Sequence, residues 1–312
     1  MPSLSAPSML FFPYKFDLSL QRVPLLTILI ALVCVGVYTK QYANEAEYAE
    51  KTEYFCAKSR SNVARMALEK SLGSASQERC VALMFELGVA ENPEDVIKSY
   101  AENSKSFAGL SDEDSQIYIE SFLLEEYRGY RSRVPALTTK QLWYQPRSWN
   151  PVTMVTSSFS HGSWDHVIGN LLFFYAFAAA VELIVGALAF AMVVMVMVFG
   201  TNIAYSLAML SIENPLPTVG LSGVVMGMIA MLAFFMPTAK VRCFYWILIK
   251  IGTVAVSAWF LALVYIGLDV FTLLTQEEMG GVNLVAHVSG AVIGFLLAAI
   301  FFRRHRREIS IA

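Results

Sequence analysis

Apolar residues in this chain gather into six runs, at about 23–38, 166–185, 187–210, 219–236, 244–268 and 282–302. Runs of this length exceed ordinary core helices and match the roughly 20 residues needed to cross a bilayer. The first is the shortest and comes after Lys15 and Arg22, so it reads as a retained span or as a signal peptide. Lys40, Gln41, Tyr42, Ala43 and Asn44 behind it make a poor cleavage site, which favours the span. Either reading exports the polar stretch between the first two runs, which reads as helical. Ser111 before Asp112, Glu113 and Asp114 is an N-cap with an acidic first turn, and Asn92, Pro93, Glu94 and Asp95 open another helix. From 117 to 130, Ile117, Phe122, Leu123 and Leu124 alternate with charges. No repeat or low-complexity tract interrupts the pattern. The predicted fold is an all-α polytopic membrane protein, six spans with a helical insertion between the first and second. Its parts are an N-terminal segment 1–22, a first span 23–38, an outer region 39–150, a core 151–302 and a basic tail 303–312.

Composition agrees: 56% of the 312 residues are hydrophobic and 15% charged, against about a quarter charged in soluble domains. From Gly186 to Leu268 the only acids or strong bases are Glu213, Lys240, Arg242 and Lys250. A net charge of −2 gives no basic field for nucleic acid. Charge also orients the chain. With the N-terminus cytoplasmic, Lys15, Arg22, Lys240, Arg242 and the tail residues Arg303, Arg304, Arg306 and Arg307 all fall inside. The short outer loops then hold Glu213, Asp269, Glu277 and Glu278 without Lys or Arg. Lys250, in the first turns of the fifth span, snorkels to the same inner face. Cys34 and Cys243 fall in or beside apolar runs. Cys56 and Cys80 fall in the polar region, free to pair if it is exported to an oxidising compartment.

Polar side chains inside a bilayer are costly and need a reason. Ser222 begins the fourth run a few ångströms below its outer end, at ~1.5 Å per residue, and His287 enters the sixth to a similar depth. Taken singly, a span serine usually bonds its own backbone and a span histidine usually serves packing. Here Gly223 with Gly227 and Gly290 with Gly294 let the two backbones approach closely, which a serine–imidazole hydrogen bond requires. In the second run His166 and Asn170 lie one turn apart on one face and can donate to a developing oxyanion, with the Ser222 amide. His161 and His166 as zinc ligands are the rival reading; no HExxH and no third ligand at suitable spacing support it. No metal and no cofactor is expected. A G-x-S-x-G elbow is excluded by Val224. No carboxylate has an evident place beside His287, so a two-residue dyad is the simpler arrangement.

His161 to Asn170, the GLSG at 220–223 and the AHVSGAVIG at 286–294 resemble the three signatures of rhomboid proteases in order and spacing, and Glu182 with Gly186 fits a further pattern of that family. The resemblance covers about 152–302 plus the first span. It implies a rhomboid-type six-helix bundle in which Ser222 is the nucleophile and His287 the general base. His166, Asn170 and the Ser222 amide would form the oxyanion hole, and His161 would organise the loop above, with Gly220 belonging to the GLSG turn. Two positions depart from the family: Met226 replaces an aromatic residue that stacks under the histidine, and Val152 and Thr153 replace a Trp-Arg pair, with Trp143, Arg147 and Trp149 nearby but out of register. By resemblance the substrates would be single-span membrane proteins approaching beside the second and fifth spans and cut near their outer ends. The expected location is a bacterial inner membrane. The alternative is an inactive relative that binds membrane clients; transporters and lipid-modifying enzymes fit the placement of polar residues less well.

Overall fold

The computed structural model describes residues 9–16, 23–58, 62–247, 250–275 and 282–306. Arg22, Glu277, Glu278 and Arg307, used above for orientation, lie outside them. The chain divides into two compact units, residues 1–38 with 142–312 and residues 39–141. It is a helical polytopic membrane protein. Among the described residues, five helices are long and apolar enough to cross a membrane: α1 (Leu25–Ala57), α8 (Trp164–Val185), α9 (Ala187–Ala208), α11 (Ala258–Thr275) and α12 (Leu284–Phe301). A sixth, α10 (Ser222–Phe235), has 14 residues, about 21 Å at ~1.5 Å per residue.

In the larger unit α10 is the central element. Every residue from Gly223 to Leu232 is buried, with α8, α9, α11 and α12 packed against it. Because lipid is as apolar as a leucine side chain, apolar burial gains little between membrane helices, and close packing of small residues matters more. Ala178, Ala179 and Ala180 of α8 and Gly290, Ala291, Gly294 and Ala298 of α12 supply such surfaces, all of them buried. Glu182 of α8 is buried, and its carboxylate accepts from the amides of Leu26 (3.0 Å) and Thr27 (2.8 Å) and from the Thr27 hydroxyl (2.7 Å). It thereby satisfies orphan donors in the first turn of α1, where a negative charge is favoured.

One element differs in type from the pattern of apolar runs. Residues 244–257 do not begin the fifth membrane helix. A three-stranded antiparallel sheet of order β1-β2-β3 is formed by β1 (Met9–Phe16), β2 (Lys240–Ile247) and β3 (Lys250–Ser257). β1 pairs with β2 from Met9 opposite Ile247 to Phe16 opposite Val241, with an irregularity between Pro13 and Lys15; proline is tolerated at such a place on an edge strand. Lys250 therefore opens a strand, and the helix-snorkelling role expected for it does not apply. Aromatic and β-branched residues (Phe244, Tyr245, Trp246, Ile247, Ile251, Thr253, Val254, Val256) fill the hairpin and favour strand geometry.

The smaller unit comprises the part of α1 after Tyr38 together with α2 (Asn62–Leu72), α3 (Gln77–Val89), α4 (Pro93–Glu102), α5 (Asp112–Arg131) and the short α6 (Thr138–Leu142). Its core holds Tyr48, Phe55, Leu68, Leu83, Met84, Leu87, Ile97, Ile119, Leu123 and Tyr130. The Ser111 hydroxyl caps α5 by accepting from the Asp114 amide at 3.1 Å. Cys56 and Cys80 are joined in a disulfide with a Cα separation of 5.8 Å, fastening α1 to α3. Lys140 extends its ammonium to the carbonyls of Gly88 (3.0 Å) and Ala90 (2.6 Å) at the C-terminal end of α3.

The remaining helix, α7 (Pro151–Phe159), precedes α8. Asn150 caps it by accepting from the Val152 amide at 2.9 Å, with Pro151 in the first turn.

Candidate active site

Helices α10 and α12 approach each other closely at their glycines. A Cβ built on Gly290 would fall 2.0 Å from the carbonyl oxygen of Gly223, and one on Gly294 would fall 2.3 Å from that of Gly227. From the other side, a Cβ on Gly223 would lie 3.0 Å from the Ala286 carbonyl and one on Gly227 2.9 Å from that of Gly290. Both expected glycine pairs thus face each other directly. The seam brings Ser222, the first residue of α10, alongside the turn of α12 that carries His287. Asn283 sets the offset of the two helices. Its carbonyl side-chain oxygen caps α12 by accepting from the Ala286 amide (2.9 Å), and its NH2 donates to the Thr218 hydroxyl (3.0 Å), just ahead of α10.

The segment leading into α10 is pinned throughout. Thr218 and Tyr144 exchange backbone hydrogen bonds of 2.9 and 3.0 Å, and the Gly220 amide donates to the Ser157 carbonyl at 2.8 Å. Gln145 donates to the Pro215 carbonyl (3.1 Å), Tyr205 to that of Leu216 (2.7 Å), and Arg147 to that of Ile212. Arg147, out of register in the sequence pattern, therefore anchors the α9–α10 loop. Gly220 has φ +114°, a conformation that L residues rarely adopt, and a Cβ there would meet the His166 ring at 2.9 Å and Asn170 Nδ2 at 3.9 Å. The turn thus lets His166 and Asn170 of α8 close on the N-terminal end of α10.

His166, Asn170 and Gly220 consequently form one cluster. Asn170 is buried and donates to the His166 carbonyl at 2.9 Å. The Gly162 amide makes a long 3.5 Å hydrogen bond to His166 Nδ1, which leaves Nε2 as the donor nitrogen toward Gly220. His161 is fully buried and stacks edge-on against His166 with ring centroids 5.0 Å apart. It lies in the loop before α8, where burial first and the neighbouring His166 second push its pKa down to about 4 against a backbone hydrogen bond at Phe159. It is therefore neutral. Beside the serine lies a polar cavity of about 20 Å³ lined by Ser157, Thr201, Asn202, Thr218 and Ser222, large enough for one water. Helix geometry leaves the amides of Ser222, Gly223 and Val224 without intrahelical acceptors.

Ser222 and His287 are brought to adjoining helices, yet among the described residues no hydrogen bond joins the serine hydroxyl to the imidazole. The ring is held from its other side. His287 Nδ1 lies 2.8 Å from Asp269 Oδ2 of α11, with both side chains largely buried. A carboxylate therefore does lie beside His287, where the sequence showed no evident place for one. Asp269 belongs to the body of α11 and not to a short outer loop. Met226 is buried one turn beyond Ser222. Among the described residues no cluster of His, Cys, Asp or Glu is arranged to hold a metal ion.

Sequence reasoning missed Asp269 and Asn283. For Asn283 a signal was present, since an Asn immediately before an apolar run is a helix N-cap. For Asp269 none was, because 18 positions separate it from its partner.

No curated protein and no solved structure gives a significant match to the chain. Residues 148–304, half of the chain and all of the elements from α7 to α12, match the Rhomboid domain. Together with the membrane helices and the helix seam, that match makes this chain an integral membrane protein of the rhomboid family.

Proposed function

We propose that the protein is an intramembrane serine endopeptidase in which Ser222 and His287 form the catalytic dyad. The observation that carries this reading is the double glycine contact of α10 with α12, which places the two side chains on adjoining helix turns with His166, Asn170 and Gly220 alongside. A short, largely buried α10 supports it too. At about 21 Å against a hydrocarbon layer of about 30 Å, it is shorter than the layer is thick, as a serine recessed below the membrane surface requires.

In the reaction His287 Nε2 takes the proton from Ser222 Oγ as Oγ bonds to the carbonyl carbon of the scissile peptide. The oxyanion is stabilised by His166 Nε2–H, the Asn170 NH2 and the Ser222 amide at the positive end of α10. The imidazolium then gives its proton to the departing nitrogen, the C–N bond breaks, and the acyl group stays on Ser222. Water, deprotonated by His287, then attacks the ester carbonyl; the C–Oγ bond breaks, the imidazolium returns the proton to Ser222 Oγ, and the acid is released. Substrates on this reading are single-span proteins cut near the outer end of their helix, where a locally unwound backbone exposes the carbonyl. The N- and C-termini face the cytoplasm by the distribution of Lys and Arg.

A client-binding relative without activity is the second reading, favoured by the absence of a Ser222–His287 hydrogen bond; resting-state catalytic bonds are often loose and tighten in the complex. Reconstituted protein with a membrane-anchored reporter decides between them. Wild type is expected to produce the cut fragment, and Ser222→Ala to lose at least about 10³-fold in rate. Equal cleavage by both, or cleavage by neither, removes the protease reading.

A further inference from the structure

Asp269 projects from a membrane helix, where a carboxylate is costly unless partnered. Among the described residues its partner is one atom, Nδ1 of His287, at 2.8 Å. The Asp269 side chain is 12% exposed and that of His287 15%, so neither end of the contact is solvated like a surface pair. The elements packed against α12 offer little else that is ionisable. α10 carries no ionisable group, α9 contributes Tyr205, whose hydroxyl is committed to the Leu216 carbonyl, α8 contributes His166, and α11 itself adds Tyr265, one turn before Asp269. Glu182, the other buried carboxylate of the described membrane helices, is fully used in capping α1.

The chemistry of that contact is specific. An ionised carboxylate only accepts, so a neutral imidazole facing it carries its proton on Nδ1 and presents the lone pair at Nε2. That is the tautomer a general base for Ser222 needs. When Nε2 takes the serine proton, the resulting imidazolium is attracted to the adjacent carboxylate in poorly solvated surroundings. We propose that Asp269 is a positioning residue for His287, fixing its tautomer and ring orientation and stabilising the imidazolium. The site is then a Ser222–His287–Asp269 relay whose carboxylate is supplied by α11. Catalysis thereby depends on α11 holding its place beside α12. This rests on the protease reading.

The test uses the full-length protein in proteoliposomes with the membrane-anchored reporter, for wild type, Asp269→Asn, Asp269→Glu and Ser222→Ala. Asp269→Asn keeps the shape but can present its NH2 to Nδ1, favouring the wrong tautomer. It is expected to lower kcat at least about tenfold with KM changed less than about twofold, and Asp269→Glu to recover part of the loss. A tie between helices alone would lower the thermal midpoint without this split. Nitrogen NMR of histidine-labelled wild-type protein gives a readout that needs no Asp269 variant to fold: His287 is expected to be protonated at Nδ1 and bare at Nε2. Asp269→Asn turnover within about twofold of wild type, or a wild-type His287 protonated at Nε2 alone, overturns the proposal. Undiminished cleavage by Ser222→Ala instead overturns the protease reading, and so the two failures are distinguishable.

Discussion

Gly220 and His161 show how single residues shape the site through their neighbours. The positive φ of Gly220 and the missing Cβ let the His166 ring lie where a methyl would otherwise sit, and His161 backs that ring from the loop side. Because His161 is buried and neutral, with its pKa pushed down to about 4, it couples the fold to pH. The unfolded chain binds a proton there as pH falls below about 6.5 while the folded chain does not. The contribution of His161 is therefore fully present above that value and is lost progressively as pH falls toward about 4. Thermal midpoints recorded from about pH 7 down to about pH 4 are expected to fall more steeply for wild type than for His161→Gln. Identical slopes would contradict a buried neutral His161.

At the scale of elements, the α10–α12 seam is the feature on which the geometry turns. Backbone carbonyls, not flexible side-chain ends, lie where Cβ atoms on Gly290 and Gly294 would be. Gly290→Val therefore has no room to relax without parting the helices. It is expected to lower stability by about 3 kcal/mol or more and to abolish cleavage, as read by thermal unfolding in detergent and by the reporter. Gly169→Ala on α8, where nothing lies within 4 Å, is the matched control and is expected to be tolerated. The seam was legible in the sequence because glycines four apart on two apolar runs have one common physical use. The 244–257 hairpin was not. Its apolar run, continuous with α11, hides the change from strand to helix, and only the β-branched and aromatic content of 240–257 hinted at it. Asp269 was misplaced for a related reason. A helix beginning at Ala258 carries it within the bundle, whereas a helix ending near Leu268 leaves it in a loop.

Across the whole molecule, the sequence separates a strongly apolar unit from a more polar one, and the two are held by different forces. In the smaller unit, apolar burial of residues such as Leu87, Ile119 and Leu123 is the stabilising term, at roughly 25 cal/mol per Å², with Cys56–Cys80 fastening α1 to α3. In the larger unit, small-residue packing and satisfied polar groups take its place. Glu182 at the start of α1 and Asn283 at the start of α12 both commit a polar side chain to a helix end. The rhomboid signatures fall in the larger unit, which is why a candidate site could be proposed there from sequence, whereas no motif in 39–141 announces a role. In the proposed dyad Ser222 is made nucleophilic by His287. The most direct measurement is mass-spectrometric mapping of the adduct formed when the reconstituted protein meets a serine-directed fluorophosphonate. The expected result is a single adduct on Ser222 that disappears in His287→Ala. An adduct that forms equally without His287, or none on Ser222, would contradict it.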